Sequence, residues 1–187
     1  MSAELIILFS IFGTLSIINL LLTLAIIRKV NNIQERRSNV TNRVDDVMFQ
    51  RGIEIPDYQF ETDDGKAINI KSITGSGETV FVFMSSTCSP CEQKIPELQE
   101  LYPIAKTKNI CINIVLMGDN KSSSHFIDKT GYTHPILHHK DLILVQNDLK
   151  LSGTPSFYWV SENRVIIERG ILGDGNWIQM VNQNIYS

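Results

Sequence analysis

Two thiols separated by two residues, in Cys88-Ser89-Pro90-Cys91, give this chain a local dithiol that can be oxidised to a disulfide and reduced again. Thr79-Val80-Phe81-Val82-Phe83-Met84 precedes them as an apolar, β-rich run of the kind that forms a strand buried on both faces. After Pro90 the apolar residues Ile95, Leu98, Leu101 and Tyr102 recur at three- and four-residue spacing. That spacing predicts a helix from Ser89 to Lys106, kinked at Pro96. A thiol at such a strand-to-helix junction meets unpaired backbone N–H groups and the positive end of the helix dipole, and both favour the thiolate. Cys88 is therefore the expected nucleophile towards a substrate disulfide. Cys91, one helical turn on, is expected to resolve the mixed disulfide by attacking Cys88.

Other uses of these thiols need features of their own. A zinc site requires two more ligands at matching spacing, and His134, His138 and His139 have no metal-site spacing to the pair. Soft thiolates would also hold Cu(I), which leaves a copper chaperone or non-catalytic thiol-binding module as the alternative from another class. A redoxin-type peroxidase carries Thr three residues before its reactive Cys, where this chain has Ser85. Cys111, among Ile110, Ile112 and Ile114, reads as a small buried apolar residue without a redox role. With three cysteines in 187 residues, a disulfide-stapled scaffold is excluded, and a net charge of −3 gives no basis for nucleic-acid binding.

The remaining elements read as a mixed α/β domain. A hairpin is expected from Tyr58 to Ile70 around Asp63-Asp64-Gly65-Lys66, then a strand at Ile110–Met117 and a helix over 120–131. A short strand at 136–138 and a short helix over 142–149 follow. Phe157–Val160 and Val165–Glu168 read as an antiparallel hairpin, and Asp174 as the cap of a last helix carrying Trp177, Met180 and Val181.

Ahead of this domain, assigned to residues 53–187, no charged side chain occurs from Leu5 to Ile27, which is 23 residues. A helix of that length covers the ~30 Å hydrocarbon core of a bilayer, so 5–27 is read as a single transmembrane helix. A cleaved signal peptide would need a basic start, a shorter apolar stretch and a small-residue cleavage site, none of which is present. Residues 28–52 read as a juxtamembrane spacer with weak helical spacing of Ile33, Val40, Val44 and Val47. Arg28, Lys29, Arg36, Arg37 and Arg43 all follow the apolar run, which by the positive-inside rule favours a cytoplasmic domain.

Gly153-Thr154-Pro155 lies just before the β-rich run at Phe157, with Pro155 following Cys91 by 64 residues. Taken together, Phe81 to Pro96 and Gly153 to Phe157 resemble the active-site strand, redox motif, kinked helix and cis-proline loop of the thioredoxin superfamily. The resemblance covers residues 53 to 185. The extra N-terminal hairpin is similar to that of bacterial membrane-anchored disulfide reductases of cytochrome c maturation, and the anchor with its basic spacer to the methylamine-utilisation accessory type.

The resemblance implies an α/β thioredoxin-like fold and a redox-active Cys88–Cys91 disulfide. Pro155 would be a cis proline facing the pair, and Thr154 a backbone contact to substrate. It implies protein disulfides or dithiols as substrates, an upstream thiol as electron donor, no cofactor and a redox domain outside the cytoplasm. That location opposes the charge-based orientation. Val82 stands where thioredoxins carry a buried Asp, and Lys94 where many anchored reductases carry Glu. The base for Cys91 is thus unassigned, and Lys94 is expected to face solvent, or else to lower a nearby thiol pKa if it faces the pair.

Overall fold

The computed structural model describes residues 16–29 and 47–187. Residues 16–29 form helix α1, with Ile17, Leu20, Leu21 and Ile26 exposed and the Thr23 hydroxyl donating to Asn19 O at 2.9 Å. Among the described residues no helix is long and apolar enough to cross a membrane. The first part of the 5–27 run and most of the 28–52 spacer lie outside the described residues.

Residues 47–187 contain β1 (Gln59–Thr62), β2 (Ala67–Asn69), α2 (Ile70–Ile73), β3 (Glu78–Ser85), α3 (Ser89–Thr107), β4 (Ile110–Met117) and α4 (Asn120–Thr130). They continue through β5 (Ile136–His139), α5 (Leu142–Asp148), β6 (Ser156–Val160), β7 (Ile166–Ile171) and α6 (Gly175–Asn184). Seven strands make one sheet in the order β2-β1-β5-β4-β3-β6-β7. β3 pairs parallel with β4 and antiparallel with β6, so the strand leading to the cysteines is central. Strand alternation sends Val80, Val82 and Met84 to a core shared with α3 and α6, while Phe81 and Phe83 face a second core with Phe60, Val145 and Tyr158. Burial on both faces accounts for the unbroken apolar run of β3.

The hairpin forms as expected, with Phe60 opposite Ile68, and its first strand also pairs antiparallel with β5. The turn of helix at α2 is not expected from the sequence. Its N-cap, Asn69, makes no side-chain capping bond, so the turn carries no capping signature. Cys111 corrects the sequence reading: it is exposed. Ile110, Ile112 and Ile114 turn to the α3 side and Cys111 to the other, where Val115 and Met117 further along are buried. β5 pairs with β4 only from Ile114 onward, so the beginning of β4 projects past its neighbour.

Met48–Gly52, within the segment read as spacer, is bound to β6 and β7. Tyr158 is fully buried; its hydroxyl donates to Leu149 O at 2.9 Å and accepts the Phe49 N–H at 3.0 Å. Desolvation pushes that phenol up to about 12, so it remains the protonated donor at neutral pH. Arg169, itself buried, donates to Met48 O at 3.3 Å and to Gln50 Oε1 at 2.9 Å. Tyr158→Phe removes the partner of both backbone groups and is expected to cost about 1–3 kcal/mol, read as a lowered urea midpoint with unchanged slope.

Candidate functional site

Cys88 is the N-cap of α3, and its backbone is extended so that β3 turns directly into the helix. Pro90 occupies the first turn, where its missing N–H costs nothing. The two cysteines are joined as a disulfide with Cα atoms 5.2 Å apart. Cys91 is completely buried in the core that also contains Val82, Met84 and Phe157, whereas Cys88 is half-buried at its edge. The Cys91 N–H points at Cys88 Sγ, 3.2 Å away. With the helix dipole, this donor would stabilise a thiolate on Cys88 once the disulfide opens.

Thr154-Pro155 forms the opposite wall. Their peptide bond is cis, and Thr154 O lies 3.6 Å from Cys88 Sγ. Pro155 O accepts the Leu172 N–H at 3.0 Å, which ties this loop to the residue just after β7. The structure thus brings together all four residues singled out in the sequence: Cys88, Cys91, Thr154 and Pro155.

Val82 leaves no acid under the pair, being fully buried among apolar neighbours. Lys94 does not extend freely into solvent as the sequence reading expected. Its side chain is 32% exposed and its Nζ donates to Glu97 Oε2 at 2.9 Å. Glu97 Oε1 accepts the indole N–H of buried Trp177 at 2.7 Å. The sequence reading missed Glu97, although the Lys94/Glu97 spacing of three on a predicted helix was a usable signal.

Asp174 caps α6 by accepting from Trp177 N at 2.8 Å, and it also accepts from Ile171 N at 2.9 Å. Burial still holds its carboxyl above the ordinary aspartate value. Its contribution to stability is therefore fully present below that value and is lost as the pH rises through the raised one.

A dithiol at the head of a helix after a central strand, roofed by a proline loop on a mixed sheet, defines a thioredoxin-like thiol-disulfide oxidoreductase. The chain belongs to the AhpC/TSA family, whose pattern it matches over residues 52–169. It is 29% identical over 135 residues to the thiol-disulfide oxidoreductase ResA of Oceanobacillus iheyensis, covering 69% of each chain. Its fold is similar to the thioredoxin domain of a thiol-disulfide oxidoreductase from Bacteroides vulgatus, with TM-score 0.64 and 17% identity over 73% of this chain and 99% of that one. It is also similar in fold to StoA from Bacillus subtilis, with TM-score 0.54 and 19% identity over 70% of this chain and 97% of that one.

Proposed function

We propose that this chain is a membrane-tethered reductant of protein disulfides that serves the maturation of exported proteins. The observation that carries the exchange chemistry is the asymmetry of the pair: Cys88 is accessible and faces the Cys91 N–H, while Cys91 is sealed in the core. In the reduced protein the Cys88 thiolate attacks one sulfur of a client disulfide, forming a mixed disulfide and releasing a client thiolate that takes a proton from solvent. Cys91 then gives up its proton and attacks Cys88 Sγ as a thiolate, which closes the Cys88–Cys91 bond and expels the second client sulfur as a thiolate that takes up a proton. The client gains two electrons and the protein loses two. An upstream dithiol, by the reverse steps, restores the reduced pair.

Thr154 and Pro155 bind the client in this reading. Their loop lies beside Cys88, where an extended client segment can pair with its backbone groups. Peroxide reduction is less well supported, because Ser85 stands at the position of the peroxidase Thr and is buried, its hydroxyl 3.2 Å from that of Thr87.

The tether rests on the charge-free run from Leu5 to Ile27 and on the exposed apolar side chains of α1. We place the redox domain outside the cytoplasm, because exported clients meet an oxidising compartment there; the basic residues after the run argue for the other side. Intact cells carrying a Cys111→Ala variant, reduced and labelled with membrane-impermeant reagents, test this directly. Maleimide labelling of Cys88 before lysis is expected; labelling only after lysis would put the domain in the cytoplasm.

A further inference from the structure

We propose that Lys94 is a positioning residue of the redox pair: a cation fixed one helical turn beyond Cys91 that favours the thiolate side of exchange and makes the Cys88–Cys91 disulfide easier to reduce. The inference rests on the exchange reading above and assigns a charge to the half of the site where the sequence offers no acid.

Cys91 and Lys94 are three residues apart on α3, which places their Cβ atoms about 5–6 Å from each other on the same side of the helix. The ammonium is not free to leave. Glu97 Oε2 accepts from it at 2.9 Å, and Glu97 is itself held by the Trp177 indole, whose ring packs edge-on against Phe157 at 5.1 Å. On the other side it lies against Gly173, where a Cβ would fall on Lys94 Nζ. Gly173 directly follows Leu172, the residue that donates to Pro155 O at 3.0 Å. Lys94 is thereby confined between the redox helix and the turn that supports the proline loop.

The other charges around the pair are few. Glu92, also on α3, is paired with Lys129 of α4 at 2.7 Å. Asp174, at the start of α6, spends its carboxylate on the Ile171 and Trp177 N–H groups. β3 and β6 present Val82, Met84 and Phe157 to Cys91 and no charged side chain. Glu97, three residues further along the helix, holds the ammonium in place at 2.9 Å and offsets part of its charge at the sulfurs. A nearby positive charge favours the ionised thiol, and stabilising the reduced pair raises the reduction potential of the disulfide.

The test is the equilibrium of the full chain, in detergent, with glutathione: protein disulfide plus two glutathione thiols gives protein dithiol plus glutathione disulfide, with two electrons transferred. Acid quenching, alkylation and mass spectrometry read the reduced fraction. Lys94→Gln is expected to lower the equilibrium constant for reduction about threefold, or about 14 mV at 29.6 mV per tenfold, and Glu97→Gln to raise it by a smaller factor. Lys94→Arg should keep the wild-type value. Loosened packing would move the Gln variants in the same direction, so opposite signs identify the charge. A wild-type chain that exchanges normally while Lys94→Gln is unchanged, or shifts in the same direction as Glu97→Gln, overturns the inference. A wild-type chain that never equilibrates with glutathione overturns the exchange reading on which it rests.

Discussion

Cys88→Ser is expected to abolish reduction of a client disulfide, a loss of at least ~10³-fold, because an alcohol replaces the one accessible sulfur of the pair. The fold should persist, since Cys88 is half-buried at the edge of its core and its cap is replaced by serine, itself a good N-cap. Cys91→Ala should behave differently. The first attack remains possible, but the mixed disulfide has no internal thiol to resolve it, so a covalent complex through Cys88 should accumulate on non-reducing gels. A Cys88→Ser protein that still turned over, or a Cys91→Ala protein that formed no adduct, would reverse the assigned roles.

Trp177→Ala is expected to give the largest loss of stability of any change near the site, about 3–5 kcal/mol, measured by urea unfolding of the full chain in detergent. Trp177 is fully buried in the core that holds Cys91, packs against Phe157 and Trp159, and donates its indole N–H to Glu97. Its removal opens a cavity and leaves a half-buried carboxylate without one donor. The same variant should make Cys91 of the reduced protein easier to alkylate, because the cavity adjoins its sulfur's core. A loss below about 1 kcal/mol would mean that α6 is not held by this packing.

The parts of the fold that were legible in the sequence are those set by local pattern. Ile110–Met117 was readable as a strand because its eight residues are apolar and β-branched-rich but for Asn113, and α3 because its apolar residues keep helical spacing after Pro90. Asp174 was readable as a cap because an acceptor side chain stands just before an amphipathic run. The Cys88–Cys91 pair was legible through its short motif, whereas Thr154 and Pro155 stood out only through the resemblance to thioredoxins. The arrangement made by tertiary contacts was not legible. Nothing local says that β1 lies beside β5 or that the start of β4 outruns its neighbour and leaves Cys111 exposed. The same holds for Lys94, whose partners Glu97, Trp177 and Gly173 come together only when α3, α6 and the turn after β7 are packed. Nor does anything local show that Arg169 is buried, where it binds the backbone of Met48 and the side chain of Gln50.

Cys88 and Cys91 act in thiol-disulfide exchange as a pair, Cys88 attacking and Cys91 resolving. The most direct measurement reduces the full chain, removes the reductant, adds one equivalent of a disulfide-linked peptide and maps every cysteine by alkylation and mass spectrometry after acid quenching. One peptide disulfide reduced for each Cys88–Cys91 disulfide formed, with Cys111 still alkylated as a free thiol, is the predicted result. A peptide left oxidised, or reduced at the expense of Cys111, would contradict the account.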